Sequence, residues 1–390
     1  MESKKRFLAV TLVLYLSSLI SYYTQIKIID LYGLNVKYYF DLYLSYLQIA
    51  ITLVIFGLPN AISIMVSREN KIPRHIRRYS LLFAFLSSTI LNFIFLDGDL
   101  KIQIVILIFM YVSLFNDLNT GLMSSIGMFE YPRFFQLIGN ILLLIFVFFA
   151  PLTFLNSLDL SNEWYALMFL VIPVLPLFLA LNFGSKFKRK LKGFESVSLI
   201  SVSKYLSYIY LFSILSIIVT RAPYINFSEF ISKHDLAQYT LSVSLSNFMV
   251  IPLSLFTLKV LSSNVGNSIN IKLVNLFLLF FISASSLVLF YVSGTFDLLH
   301  SLTNISSPEI LMSTYLVVGF TAIASINLSI SLRMQKRLKH FFVIDLILVI
   351  FLYIITLGVF YSFEDLSGYN YAIVLAIFSK ILCQVYFLRD

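Results

Sequence analysis

Phe134-Phe135-Gln136-Leu137-Ile138-Gly139-Asn140-Ile141-Leu142-Leu143-Leu144-Ile145-Phe146-Val147-Phe148-Phe149 follows Arg133 and continues to Leu155 without a charged residue. A helix rises about 1.5 Å per residue and a bilayer's hydrocarbon core is about 30 Å thick, so this stretch is long and apolar enough to span one. The same reading extends along the whole chain. Twelve spans are predicted, at 7–29, 39–66, 79–96, 102–127, 134–155, 164–184, 203–223, 236–262, 272–293, 309–332, 341–361 and 369–388. The longest gap, 185–202, is 18 residues, so no extramembrane domain is expected. The first span follows Lys4-Lys5-Arg6 with no small-residue cleavage site behind it, and reads as a retained helix, not a signal peptide.

Composition agrees. Of 390 residues 59% are hydrophobic and 12% charged, with a mean hydropathy of +0.91, whereas soluble chains carry about 25% charged residues. A water-soluble enzyme, a secreted disulfide scaffold and a disordered regulator are excluded. The single cysteine, Cys383, permits no internal disulfide. The net charge of +9 reads first as orientation. Twenty-one Lys and Arg residues fall on the side of the N-terminus, including Arg74, Arg77, Arg78 and the run Lys186–Lys192. Five lie on the other side: Lys27, Lys37, Lys101, Arg221 and Lys233. This asymmetry places both termini in the cytoplasm, with the basic runs against anionic headgroups, and calls for no nucleic-acid partner.

The chain also repeats. Lys27 and Asp41 are fourteen residues apart, as are Arg221 and Asp235, at an offset of 194. A proline follows each pair, Pro59 and Pro252. Asn119 matches Asn327, and Phe134-Phe135 matches Phe341-Phe342. Because six helices is an even number, the two halves enter the membrane in the same direction, as a parallel repeat. The expected fold is an all-α integral membrane protein, with twelve transmembrane helices in two pseudosymmetric six-helix lobes around a central cavity. The expected boundaries are 1–184 for the first lobe, 185–202 for a basic cytoplasmic linker and 203–390 for the second lobe.

Ile28-Ile29-Asp30-Leu31-Tyr32-Gly33, Phe40-Asp41-Leu42-Tyr43 and Phe56-Gly57-Leu58-Pro59-Asn60-Ala61 form one motif group; Val219-Thr220-Arg221, Leu236-Ala237-Gln238-Tyr239 and Ile251-Pro252 form a second. With these the chain resembles the multidrug/oligosaccharidyl-lipid/polysaccharide exporter superfamily, and within it the O-antigen and capsule repeat-unit flippases of Wzx type. Where that family usually shows Thr-Arg-x-Asp, Arg221 is followed here by Ala222-Pro223-Tyr224, which removes an acidic partner. The resemblance implies a flippase that moves an undecaprenyl-pyrophosphate-linked oligosaccharide across the bacterial inner membrane by alternating access. Its implied partners are that polyprenyl-pyrophosphate-linked oligosaccharide, membrane lipids, a polysaccharide polymerase and a chain-length regulator. A drug/cation antiporter of the same superfamily is the alternative.

Charges inside a bilayer cost several kilocalories unless they face a cavity or a partner, so they are the site candidates. Lys27 and Arg221 either snorkel to the outer headgroups or donate to a pyrophosphate or acidic sugar. Asp41 and Asp235 either pair with those bases or lie solvated in the interface. Lys380 and Asp117, nearer mid-helix, either join a buried polar contact or act on substrate and on a coupling ion respectively. Pro59 and Pro252 are expected to kink their helices.

Other chemistry is missing from the sequence. His75, His234, His300 and His340 are scattered without metal-ligand spacing, and there is no phosphate-binding Gly-Lys-Ser/Thr loop, so neither metal nor cofactor is implied. A membrane glycosyltransferase or repeat-unit polymerase would have to work from the external gap 294–308, with Asp297 and His300.

Overall fold

The computed structural model describes residues 2–55, 57–69, 71–95, 100–128, 130–149, 162–183, 194–198, 231–253, 271–292, 305–334, 343–344, 346–348, 351 and 366–388. The expected spans 203–223 and, for the most part, 341–361 lie outside these residues, as does Arg221. The chain divides into two compact units, Met1–Ile217 and Ile218–Asp390. The described residues are mostly helical. Six helices among them are long and apolar enough to cross a membrane: Leu8–Ile55, Ile102–Met123, Glu130–Phe149, Asn162–Asn182, Pro308–Asn327 and Leu366–Tyr386.

In the first unit, helix α1 runs Glu2–Ile55 over 54 residues. At about 1.5 Å per residue that is about 80 Å, more than twice the thickness of a hydrocarbon core. Gly33 resolves the excess. Its φ of 83° and ψ of 171° leave helical geometry for a region open almost only to glycine, so two helices meet there. The second of them is shorter than expected. Instead of continuing to residue 66 it stops at Ile55, and α2 (Leu58–Glu69) begins after Gly57, whose φ is 72°. Pro59 sits in the first turn of α2, where its missing N–H leaves no bond unmade. The kink expected at this proline is a full break between helices.

Helix α3 (Ile76–Phe95) and α4 (Leu100–Ser125) follow, then α5 (Glu130–Phe149). The next span is α6 (Asn162–Val171), a 3-10 turn (Ile172–Val174) containing Pro173, and α7 (Leu175–Phe183). Two glycines set how closely these elements pack. A Cβ on Gly121 of α4 would lie 2.3 Å from the Pro59 carbonyl oxygen, and one on Gly139 of α5 would lie 2.2 Å from that of Pro173. In both cases a helix without a side chain meets backbone next to a proline.

The connections also contain structure that an all-helical reading omits. Strands β1 (Lys71–Pro73) and β2 (Glu195–Val197) pair in parallel, Lys71 opposite Glu195 and Pro73 opposite Val197. The Arg74 N–H extends the ladder to the Val197 carbonyl at 2.9 Å. Two segments that the charge count assigns to one side of the membrane are thus held together.

The second unit contains α8 (Lys233–Met249), α9 (Ile271–Val292), α10 (Pro308–Met334) and α11 (Leu366–Leu388). Helix α8 stops at Met249 with Val250 as its cap, and helical backbone resumes at 251–253 with Pro252 inside it. The two matched prolines therefore occupy like positions, each the second residue of a helical segment that restarts after a break. Helices α10 and α11 run parallel. Asn370 donates to Ser313 Oγ at 3.1 Å and Asn327 donates to Gln384 Oε1 at 3.4 Å, both at a sequence offset of 57.

Substituting Gly121→Ala or Gly139→Ala is expected to force backbone apart, costing about 1–3 kcal/mol, and Gly33→Ala to cost a similar amount through backbone strain alone. Thermal unfolding of the detergent-solubilised chain checks this. An unchanged midpoint in Gly121→Ala would mean that α2 and α4 do not approach this closely.

Candidate functional site

Polar groups in the first unit gather at two levels. One lies beside Gly33. Lys27 bonds Asp30 at 2.8 Å and lies over the Tyr23 ring, 5.5 Å from its centroid. With 26% of its side chain exposed, it sits at a boundary and not in a core. On the other side of the turn, Lys37 and Asp41 form a salt bridge one helical turn apart, and both are buried, at 0% and 2% exposure. Asp41 therefore pairs with Lys37, a residue the charge count had placed in the outer connection. On the opposite face of the same helix Tyr39 stacks on Tyr43, whose hydroxyl bonds the Glu163 carboxylate at the start of α6. Tyr32 packs against Tyr165 and Phe169, each at 5.1 Å between ring centroids. Trp164, the protein's only tryptophan, is half-buried in the first turn of α6.

The other level lies on α4. Asp117 is exposed, while the residues around it on its helix, Leu114, Leu118, Ser113 and Met110, are buried. The lipid-like exposed positions of this helix, Ile104 and Ile108, are on the opposite face at 3.6 residues per turn. A carboxylate facing lipid is strongly disfavoured, so the opening at Asp117 is a polar one. Ser113, Asn116 and Thr120 accompany it at i−4, i−1 and i+3. Gly121, one turn further on, meets Pro59 where α1 has ended and α2 begins.

In the second unit Asp235 lies in the first turn of α8, which Ser232 caps. Its N–H donates to Ser232 Oγ at 3.1 Å and its carboxylate accepts from that hydroxyl at 2.7 Å, in the first turn of α8. An acidic group suits a helix N-terminus. Asp41 and Asp235 match in sequence yet differ in environment, one ion-paired inside a helix and one bonded to the N-cap serine in a first turn. Lys380 of α11 is 2% exposed. It lies between Asn370, bonded to Ser313 and Thr314 of α10, and Gln384, bonded to Asn327. A buried ammonium thus lies one turn from an amide pair that joins α10 and α11. Gln238 of α8 adds a further buried amide, accepting from the Ser306 N–H at 2.7 Å.

Sequence reasoning singled out Asp41, Asp117, Asp235 and Lys380 but missed Lys37, Glu163 and Asn370. The i, i+4 spacing of Lys37 and Asp41 was a usable signal. Glu163 and Asn370 carry none, because their roles depend on which helix lies opposite. Among the described residues no group of three or more His, Cys, Asp or Glu could hold a metal ion.

No family model and no curated protein matches the chain. Solved structures do match over nearly its full length. A mutant of the Vibrio cholerae MATE transporter VcmN aligns with a TM-score of 0.61 at 12% identity, covering 98% of each chain. The lipid II flippase MurJ in an inward closed conformation aligns at 0.60 and 14% identity, over 98% of this chain and 88% of that one. A MOP superfamily transporter from Pyrococcus furiosus, described as having a binding pocket of reversed polarity, aligns at 0.54 and 13% identity, over 99% and 95%. The chain shares its fold with these solved membrane transporters and with the lipid II flippase.

Removing one partner of the buried pair leaves an uncompensated charge. Lys37→Met is expected to destabilise by about 3–5 kcal/mol, and Lys37→Met with Asp41→Leu to recover most of it. A double-mutant cycle by thermal unfolding reads the coupling; additive losses would mean that the two side chains do not interact.

Proposed function

We propose that this protein is a flippase that moves a polyprenyl-pyrophosphate-linked oligosaccharide, an O-antigen or capsule repeat unit, from the cytoplasmic to the outer leaflet of a bacterial inner membrane. The observation that carries this reading is Lys380, an ammonium buried on α11 one turn from Gln384, which accepts from Asn327 of α10, on a helix that carries a second polar contact, Asn370 with Ser313 and Thr314, about 15 Å further along. Amides and hydroxyls suit sugar hydroxyls, an ammonium suits phosphate, and a fixed positive charge repels a cationic drug. The first unit supports it in two ways. Lys37 neutralises Asp41, which takes that carboxylate out of service as a cation receptor. The half-buried rings of Tyr39, Trp164 and Tyr165, beside Glu163, offer the stacking face and acceptor that a saccharide uses. Fold likeness to a lipid II flippase is consistent with a lipid-linked cargo.

Twelve passes in two lobes, alternating access, cytoplasmic termini, and a polymerase with a chain-length regulator downstream belong to this reading. Lys27 and Arg221 enter it as cationic donors at the outer side. Export of a cationic drug in exchange for an ion is the second reading, favoured by the exposed carboxylate of Asp117 and by the likeness to MATE transporters.

Replacing the endogenous flippase of a polysaccharide-producing strain with Lys380→Met tests the first reading. Lipid-linked repeat units are expected to accumulate in the cytoplasmic leaflet at unchanged membrane abundance of the protein, with Lys380→Arg retaining transport. Full polysaccharide export by Lys380→Met, or a raised sensitivity to organic cations in place of the glycan defect, would count against it. Trp164 provides a second check, since its emission is expected to change when the oligosaccharide is added to purified protein and to stay constant in Tyr39→Ala.

A further inference from the structure

The β1–β2 ladder is a weak junction. Two three-residue strands pair in parallel, with Ile72 opposite Ser196. Parallel pairing is the less stable kind, and such strands are ordinarily covered on both faces. Here only Pro73 is buried; Lys71, Ile72, Ser196 and Val197 are half-buried and Glu195 is exposed. Among the described residues no ion pair crosses the ladder, because Lys71, although in register with Glu195, bonds Glu69 of its own segment at 3.9 Å. Two strands with so little apolar cover are marginal by themselves.

Both sides of the ladder lead to elements set by backbone geometry. Glu69, bonded to Lys71, is the last residue of α2, the helix that begins after the break at Gly57. Immediately beyond β1, His75 alone among the described non-glycine residues has a positive φ, of 60°. That conformation is costly for a residue with a Cβ and persists where the surroundings impose it. They do so from two directions: the Arg74 N–H is held by the Val197 carbonyl at 2.9 Å, and the His75 carbonyl accepts from the N–H groups of Arg78 and Tyr79, where α3 starts. Strand β2 belongs to the first unit, yet the chain continues from it to the second, which begins at Ile218. The ladder therefore fastens that connection to the end of α2.

We propose that the ladder is a latch, closed in this structure, that opens during the transport cycle when α2 turns about the break at Gly57 and draws β1 off β2. Opening relaxes His75 and lengthens the free connection to the second unit, so movement at the helix break and freedom of the second unit are tied to one two-state element. The latch rests on the transporter reading only for what its opening serves. Opening is read with no cargo present, so a failed flippase reading and a failed latch are seen separately.

Cys383 is the only cysteine, so in a Cys383→Ser background Ile72→Cys and Ser196→Cys supply the sole thiols. In register on strands about 4.8 Å apart, they lie within reach of a disulfide. Nitroxide labels on this pair, in the full chain in liposomes without cargo, are expected to give one strongly dipole-broadened population and one without broadening. His75→Gly, which adopts a φ of 60° without strain, is expected to enlarge the broadened population. In the second arm the thiols are oxidised to the disulfide. The bridged chain is expected to unfold no earlier than the reduced one, yet to lose transport of glycolipid and organic cation alike and to regain it on reduction. Either single-cysteine variant treated with oxidant is expected to transport as the background does. Should the labels hold the strands apart, the disulfide arm decides; should the reduced chain move neither cargo, the label arm decides. A broadened population alone at every temperature, a thiol pair that does not bridge, or a bridged chain that transports as fast as the reduced one would overturn the proposal.

Discussion

The backbone break between Ile55 and Leu58 sets the terms for the first unit. A helix that ends away from water leaves N–H and carbonyl groups that must be satisfied within the protein, so a break survives only where other elements cover it. Here the covered side is shown by Leu58, Ala61, Ile62 and Met65, all at most 2% exposed. Gly121 allows α4 to close over Pro59, and Asp117 lies one turn before that contact on α4. The same design recurs where α8 yields at Val250 and helical backbone restarts with Pro252. Close packing of small residues and freed backbone at a break are two aspects of one constraint.

Charge is distributed under the same rule. Lys37 and Asp41 cancel each other in a buried pair, and the Asp235 carboxylate accepts from Ser232, the N-cap of α8. Among the described residues, Asp117 of the first unit is an exposed carboxylate on a membrane-length helix and Lys380 of the second is a buried ammonium. A protein that needed only to be stable in lipid would gain by replacing both with apolar groups. Their presence on membrane-length helices is the reason for weighing an exchanged ion at the one and an anionic cargo at the other.

Much of the fold was legible in the sequence because hydrocarbon thickness translates directly into run length. The spans at 102–127, 134–155, 164–184, 309–332 and 369–388 each fall on a described membrane-length helix. The fate of 39–66 was not legible, since hydropathy stays high across Gly57-Leu58-Pro59 and only backbone geometry separates α1 from α2. The β1–β2 ladder was hidden for a different reason: it joins segments more than a hundred residues apart, and neither has a strand-like pattern alone. Of the site, single charged residues were readable as outliers in apolar runs. Their partners were not, because Glu163 reaches Tyr43 and Asn370 reaches Ser313 only through helix packing.

The central claim concerns cargo, and reconstitution separates the two cargo classes most directly. Purified protein in liposomes would be given a labelled polyprenyl-pyrophosphate oligosaccharide in one leaflet, its appearance in the other read by an impermeant lectin or quencher, with an organic cation supplied in a parallel preparation. The account predicts protein-dependent transbilayer movement of the glycolipid and none of the cation. Movement of the cation with the glycolipid left in its starting leaflet would contradict it.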